Sequence, residues 1–209
     1  MSAPRSLPAG AEGDGGLSGR TLGGQGTSQM VNFGLMLILF AAATSQRAEE
    51  RVELPEQASR AARMEKNRIL IELAESPRSQ YGKVAYEKQS KPQQVFSAVW
   101  GLESEVNNGG FAQYFENLAG EMAADTEGSL HAIGARRAAE VVAKAVALFP
   151  GGPPPRNHVA RKRRLATASA EVRSAWEHLD QEFLKYPDDL TSLLYAWVKA
   201  HPKDFGTVP

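Results

Sequence analysis

Apolar side chains returning at helical spacing dominate the second half of this sequence. Val95, Val99, Leu102 and Val106 fall at positions i, i+4, i+7 and i+11, and Val172, Trp176, Leu179 and Phe183 repeat the same spacing. On a helix of 3.6 residues per turn this spacing puts all four side chains on one stripe. The two-residue alternation of a half-buried strand is missing along the chain, so the expectation is an all-α fold, a compact multi-helix domain.

Breakers divide the stripes. Pro55 and Pro92 sit where helices can begin, Pro187 precedes the last helix, and Pro77, Asn107-Asn108-Gly109-Gly110, Gly120, Pro150-Gly151-Gly152-Pro153-Pro154-Pro155 and Pro202 sit where helices must stop. The spacing predicts an amphipathic helix over about residues 56–75, with Ala58, Ala62, Ile69 and Leu73 near one face. A second opens at Pro92. A short helix follows the Asn-Asn-Gly-Gly turn with Phe111, Tyr114, Phe115 and Leu118 inward. One long helix runs from about Asp125 to Phe149, and two more carry Trp176 and Trp197. Trp100, Trp176 and Trp197 read as core.

The amino-terminal part is different in kind. Residues 1–29 hold eight glycines, two prolines and no aromatic residue, a composition that buries too little apolar surface to offset its ordering entropy, and is expected to form a disordered extension. Residues 30–45 bring an apolar run, MVNFGLMLILFAAA, shorter than the roughly 20 residues of a stable membrane span. The run resembles the apolar region of an export signal, although no Lys or Arg lies between Arg20 and Arg47. The expected location is therefore cytoplasmic, or exported if this segment acts as a signal. Residues 46–90 read as a helical lead-in and 91–205 as the main domain.

Composition excludes several functions. The chain has 209 residues and no cysteine, which removes disulfides, thiolate metal sites and cysteine nucleophiles. Lys+Arg and Asp+Glu both number 24, for a formal net charge of zero, which speaks against a dedicated nucleic-acid binder. There is no HExxH, phosphate-binding loop or nucleophile elbow, so no catalytic, metal or cofactor residue is assigned. The Arg161-Lys162-Arg163-Arg164 run reads as a solvated helix start; contact with nucleic acid or an acidic partner is the alternative.

One segment is specific: Glu105-Val106-Asn107-Asn108-Gly109-Gly110-Phe111-Ala112-Gln113-Tyr114-Phe115-Glu116-Asn117. It resembles the signature of a bacterial family of helical domains known from a DNA-mimic protein. Leu130-His131-Ala132-Ile133-Gly134-Ala135, Leu148-Phe149-Pro150 and Leu179-Asp180-Gln181-Glu182-Phe183 extend the likeness in order and spacing over roughly residues 92–205. The resemblance implies a non-enzymatic protein-interaction domain whose partner is another protein, a DNA-binding regulator among the options.

Mimicry of duplex DNA, with one negative charge per about 1.7 Å of axis, needs many carboxylates on one face. The zero net charge departs from that, yet charge is segregated along the chain. Residues 101–127 carry a net −6, residues 171–189 a net −4, and residues 136–164 a net +7. Glu103, Glu116, Glu121, Asp125 and Glu127 form the candidate acidic surface. In a compact bundle the basic segment is expected to interrupt it, giving a contact of mixed charge.

Gly109 and Gly110 permit a tight turn, with at least one expected at positive φ, and the Asn side chains can cap backbone groups around it. The functional alternative is a polar pocket at the turn built from Glu105, Asn107, Asn108, Gln113 and Asn117, used by a ligand-binding or hydrolase-like protein.

Overall fold

The computed structural model describes residues 56–208. The expectations for a disordered residues 1–29 and a signal-like residues 30–45 lie outside the described residues. The described part is helical, without a strand. α1 spans residues 56–75, followed by a 3-10 turn at Tyr86–Lys88, α2 at Lys91–Glu116, a 3-10 turn at Leu118–Met122, α3 at Ala123–Ile133 and α4 at Arg136–Ala147. Then come α5 at His158–Leu165, α6 at Ala170–Phe183, α7 at Leu190–Ala200 and the short α8 at Pro202–Phe205.

α2 is the central element and packs against α3, α5, α6, α7 and α8. Its start is a capping box: the Ser90 hydroxyl accepts from the Gln93 amide, and the Gln93 side chain accepts from the Ser90 amide. Val95, Val99, Leu102 and Val106 are buried as the stripe requires. At Gly109–Gly110 the helix kinks, and a second arm carries Phe111, Tyr114 and Phe115 into the core. Phe115 meets Phe149 and Trp176 at 5.2 Å between ring centroids, and Phe111 meets Phe183 at 6.0 Å. The Trp176 indole donates to the Ala145 carbonyl at 3.0 Å, which satisfies its one polar atom in the interior. Truncating a fully buried aromatic of this kind costs about 3–5 kcal/mol.

Several expectations are corrected. The single helix over 125–149 is two helices, because Gly134 takes φ +87° and ends α3 in a left-handed cap. α1 is amphipathic only at its carboxyl end: Ile69 and Leu73 are buried, whereas Ala58 and Ala62 are exposed. The short helix ends at Glu116 and not at Gly120, which lies in the following 3-10 turn. That turn throws Leu118 outward to 70% exposure, so it is no core residue. Trp176 is buried, but Trp100 and Trp197 are only partly so. The basic run falls at the end of α5, and Arg161 within it is fully buried. No described helix is long and apolar enough to cross a membrane.

Candidate functional site

The specific motif occupies the kink of α2. Gly109 is extended at φ −166°, and Gly110 lies at φ +74°, ψ −172°, a region essentially restricted to glycine. The kink exposes the amide of Phe111 at the start of the second arm. Asp180 on α6 supplies the cap: its Oδ1 accepts from the Phe111 amide at 2.7 Å. The Asn residues therefore do not cap that arm. A Cβ on Gly110 would fall on the Asp180 carboxylate. The glycine is needed twice, for its dihedrals and for this close approach.

The kink brings three motif side chains together. Glu105 from the first arm accepts, through Oε2, from Gln113 Nε2 at 2.8 Å and from Asn117 Nδ2 at 2.8 Å on the second. Asn107 is drawn elsewhere. Its Nδ2 donates to the Glu103 carbonyl at 2.8 Å and meets the Tyr186 hydroxyl at 2.9 Å. Asn108 is exposed and stands outside the cluster. Of the five polar residues singled out, the fold thus gathers three.

Glu103 does not belong to an open acidic surface. It is half-buried, and burial pushes its carboxyl above the usual range, against the opposing pull of the Tyr186 hydroxyl and the Arg63 charge. Asp180 is raised by burial too, opposed by the bond from Phe111.

The remaining acidic candidates sit among cations. Lys162 pairs with Glu116 at 3.0 Å, and Arg156 with Asp125 at 2.6 Å. Lys144 pairs with Glu182 at 3.5 Å. Each of these pairs joins the basic stretch 136–164 to one of the two acidic stretches. Glu127 lies 4.0 Å from His131, an ion pair only when that imidazole is protonated. Glu121 is half-exposed, and its carbonyl accepts from Arg156 at 3.3 Å.

Two positioning residues escaped the sequence reading. Arg161 donates Nε to the Phe115 carbonyl at 2.7 Å and Nη2 to the Asn117 carbonyl at 2.7 Å. Its Nη1 serves the carbonyls of Pro155 and Arg156 at 2.9 and 2.8 Å. It closes the end of the motif arm from the inside, and desolvation lowers its pKa. Asp180 lies within the Leu179–Phe183 stretch, where spacing marks Leu179 and Phe183 and the family likeness includes the acid, but nothing local gives it the role of a cap.

The cluster borders two clefts. One of about 440 Å³ has Glu105 in its wall; another of about 700 Å³ is lined by Gln113, Asn117, Glu116 and Lys162. Among the described residues no three His, Cys, Asp or Glu side chains are grouped to hold a metal ion.

Fold and site together define a class: an all-α domain organised on a glycine-kinked central helix whose arms are tied by a carboxylate–amide cluster. The chain belongs to the DMP19-like protein family, whose model matches residues 87–201. This is a family of DNA-mimic proteins and is not a known enzyme family. Neither the curated proteins nor the solved structures gave a match to the chain.

Proposed function

We propose that this domain works by binding another protein, a DNA-binding regulator, through a surface of mixed charge, and that it carries no catalytic chemistry. The observation that carries the reading is the interleaving of charge: Lys162 on Glu116, Arg156 on Asp125 and Lys144 on Glu182. A stand-in for duplex DNA presents carboxylates uninterrupted by cations. Here the cations reach the acidic stretches from neighbouring helices. Membership in a DNA-mimic family supports a protein as the partner, while the pairing of charges argues for a contact that differs from simple phosphate imitation.

The test is capture of a DNA-binding protein from native lysate at low and high salt, followed by competition with that protein's operator duplex. The expected result is a complex that weakens with salt and is not displaced by operator DNA. The combined Arg156→Gln and Lys162→Gln variant should bind the partner less well. Displacement by operator, with tighter binding by that variant, would establish full mimicry and overturn the mixed-charge reading.

A second reading is favoured by Glu105, which both organises the amide cluster and lines a cleft: the cluster serves a small ligand. A small-molecule thermal shift abolished by Gln113→Ala or Asn117→Ala would support it.

A further inference from the structure

The cleft walled by Glu105 has a composition that the amide cluster does not explain. It runs between the loop preceding α2 and the 3-10 turn that follows it. Tyr81, Tyr86, Leu118 and Met122 form its apolar walls, and Glu105 and Glu121 line it with two carboxylates. Leu118 stands on it at 70% exposure, unusual for a leucine between two packed helices. Tyr86 is 4% exposed, and its phenol is raised by burial and by the Asp125 carboxylate beside it.

The carboxylate of Glu105 is held ready. Both amides that fix it bind Oε2, and a carboxylate has about four acceptor positions over its two oxygens, so Oε1 keeps its acceptor capacity. One cation, Lys83, also lines the cleft. Its ammonium, however, is turned to the end of α1, donating to the Glu75 carbonyl at 2.5 Å and the Ala74 carbonyl at 3.5 Å. The Glu105 charge is felt at Tyr81, whose phenol is raised by burial and further by that carboxylate. The molecule already uses the matching chemistry elsewhere. The Arg156 guanidinium lies over the Tyr86 ring, 5.5 Å from its centroid, and pairs with Asp125.

We propose that this cleft takes an arginine side chain of the partner protein. A guanidinium is planar and weakly hydrated, carries an apolar stem and binds carboxylates through several N–H groups. Its stem matches the Leu118 and Met122 walls, its plane Tyr81, and its charge Glu105 and Glu121. The proposal deepens the protein-binding reading above, on which it rests, by naming the kind of group received.

The probe is the capped tripeptide acetyl-Gly-Arg-Gly-amide, titrated against the full chain by amide chemical shifts. The same peptide with citrulline, an uncharged isostere of arginine, is the control. Saturable shifts should centre on Tyr81, Glu105, Leu118 and Met122. Citrulline should bind at least about tenfold more weakly. Glu105→Gln keeps an oxygen for the two amides and should melt like wild type, yet lose that preference. Equal binding of both peptides, undiminished arginine binding by Glu105→Gln, shifts centred elsewhere or no saturation would each overturn the proposal. If Glu105→Gln fails to fold, Glu121→Gln takes its place with the same expected weakening, and its absence sinks the idea. A captured regulator whose affinity ignores Glu105→Gln removes the cleft and leaves the interaction domain standing. Peptide binding without any captured regulator does the reverse.

Discussion

The carboxylate of Asp180 receives the amide of Phe111 at 2.7 Å across 69 residues of sequence. This bond joins α6 to the kink of α2 and does the work that a serine or asparagine one turn away does at an ordinary helix start. It fixes the direction of the second arm and, through it, the meeting of Glu105 with Gln113 and Asn117.

Asp180→Ala should destabilise the domain by about 1–2 kcal/mol, the range for losing a helix cap, read as a shift in urea midpoint. Asp180→Asn should cost much less, since its carbonyl oxygen can still accept from Phe111 and burial already disfavours the charged form. Equal losses in both variants would mean that charge, and not the acceptor, makes the cap.

The two motif glycines should behave unequally. Gly110→Ala places a Cβ at positive φ and onto the Asp180 carboxylate, and should cost about 3 kcal/mol or more. Gly109→Ala meets only the Gln113 side chain at an extended φ, and should cost clearly less while disturbing the Glu105 cluster. Thermal melts of the two single variants decide it; parity between them contradicts the geometry.

Arg161→Met should strip four backbone carbonyls of a donor. Each buried acceptor left unsatisfied costs about 1–3 kcal/mol, so a total loss of at least about 3 kcal/mol is expected in denaturant titrations. Arg161→Lys should recover only part, because one compact ammonium cannot span carbonyls from Phe115 to Arg156. A neutral Arg161→Met would mean that water satisfies these groups without the guanidinium.

Glu103→Gln should raise the melting temperature at neutral pH. The folded protein holds the Glu103 carboxyl above its ordinary value of 4.5. A raised carboxyl stabilises the fold in its protonated form, fully below the unfolded value, and this contribution is lost as pH rises through the folded value. Glutamine resembles the protonated acid, so its advantage should be present at pH 7 and vanish below about pH 4. An advantage that is constant with pH would place the effect in packing instead of ionisation.

What the sequence by itself determined is local. The i, i+4, i+7 stripes, the capping box at Ser90 and the prolines that open or end helices act within a turn or two, and α1, both arms of α2, α6 and α7 follow from them. The motif glycines were legible for the same reason, since positive φ at Gly110 is a property of one residue. Gly134 was passed over because a single glycine costs a helix only about 1 kcal/mol, and the apolar stripe continues past it. The structure turns that weak signal into a break. Tertiary structure alone decided the remainder. Arg161 reads as surface within a run of four basic residues, and becomes buried because α5 is laid against the end of the motif arm, 44 residues away at Asn117. Leu118 completes an apolar pattern, and is exposed because a 3-10 turn replaces the helix. Whether an acid caps, pairs or stays open depends on which distant element is packed beside it. Helical spacing reports the face of one helix, never the neighbour it meets, so Asp180, Arg161 and the ion pairs of Glu116 and Asp125 had to come from the fold.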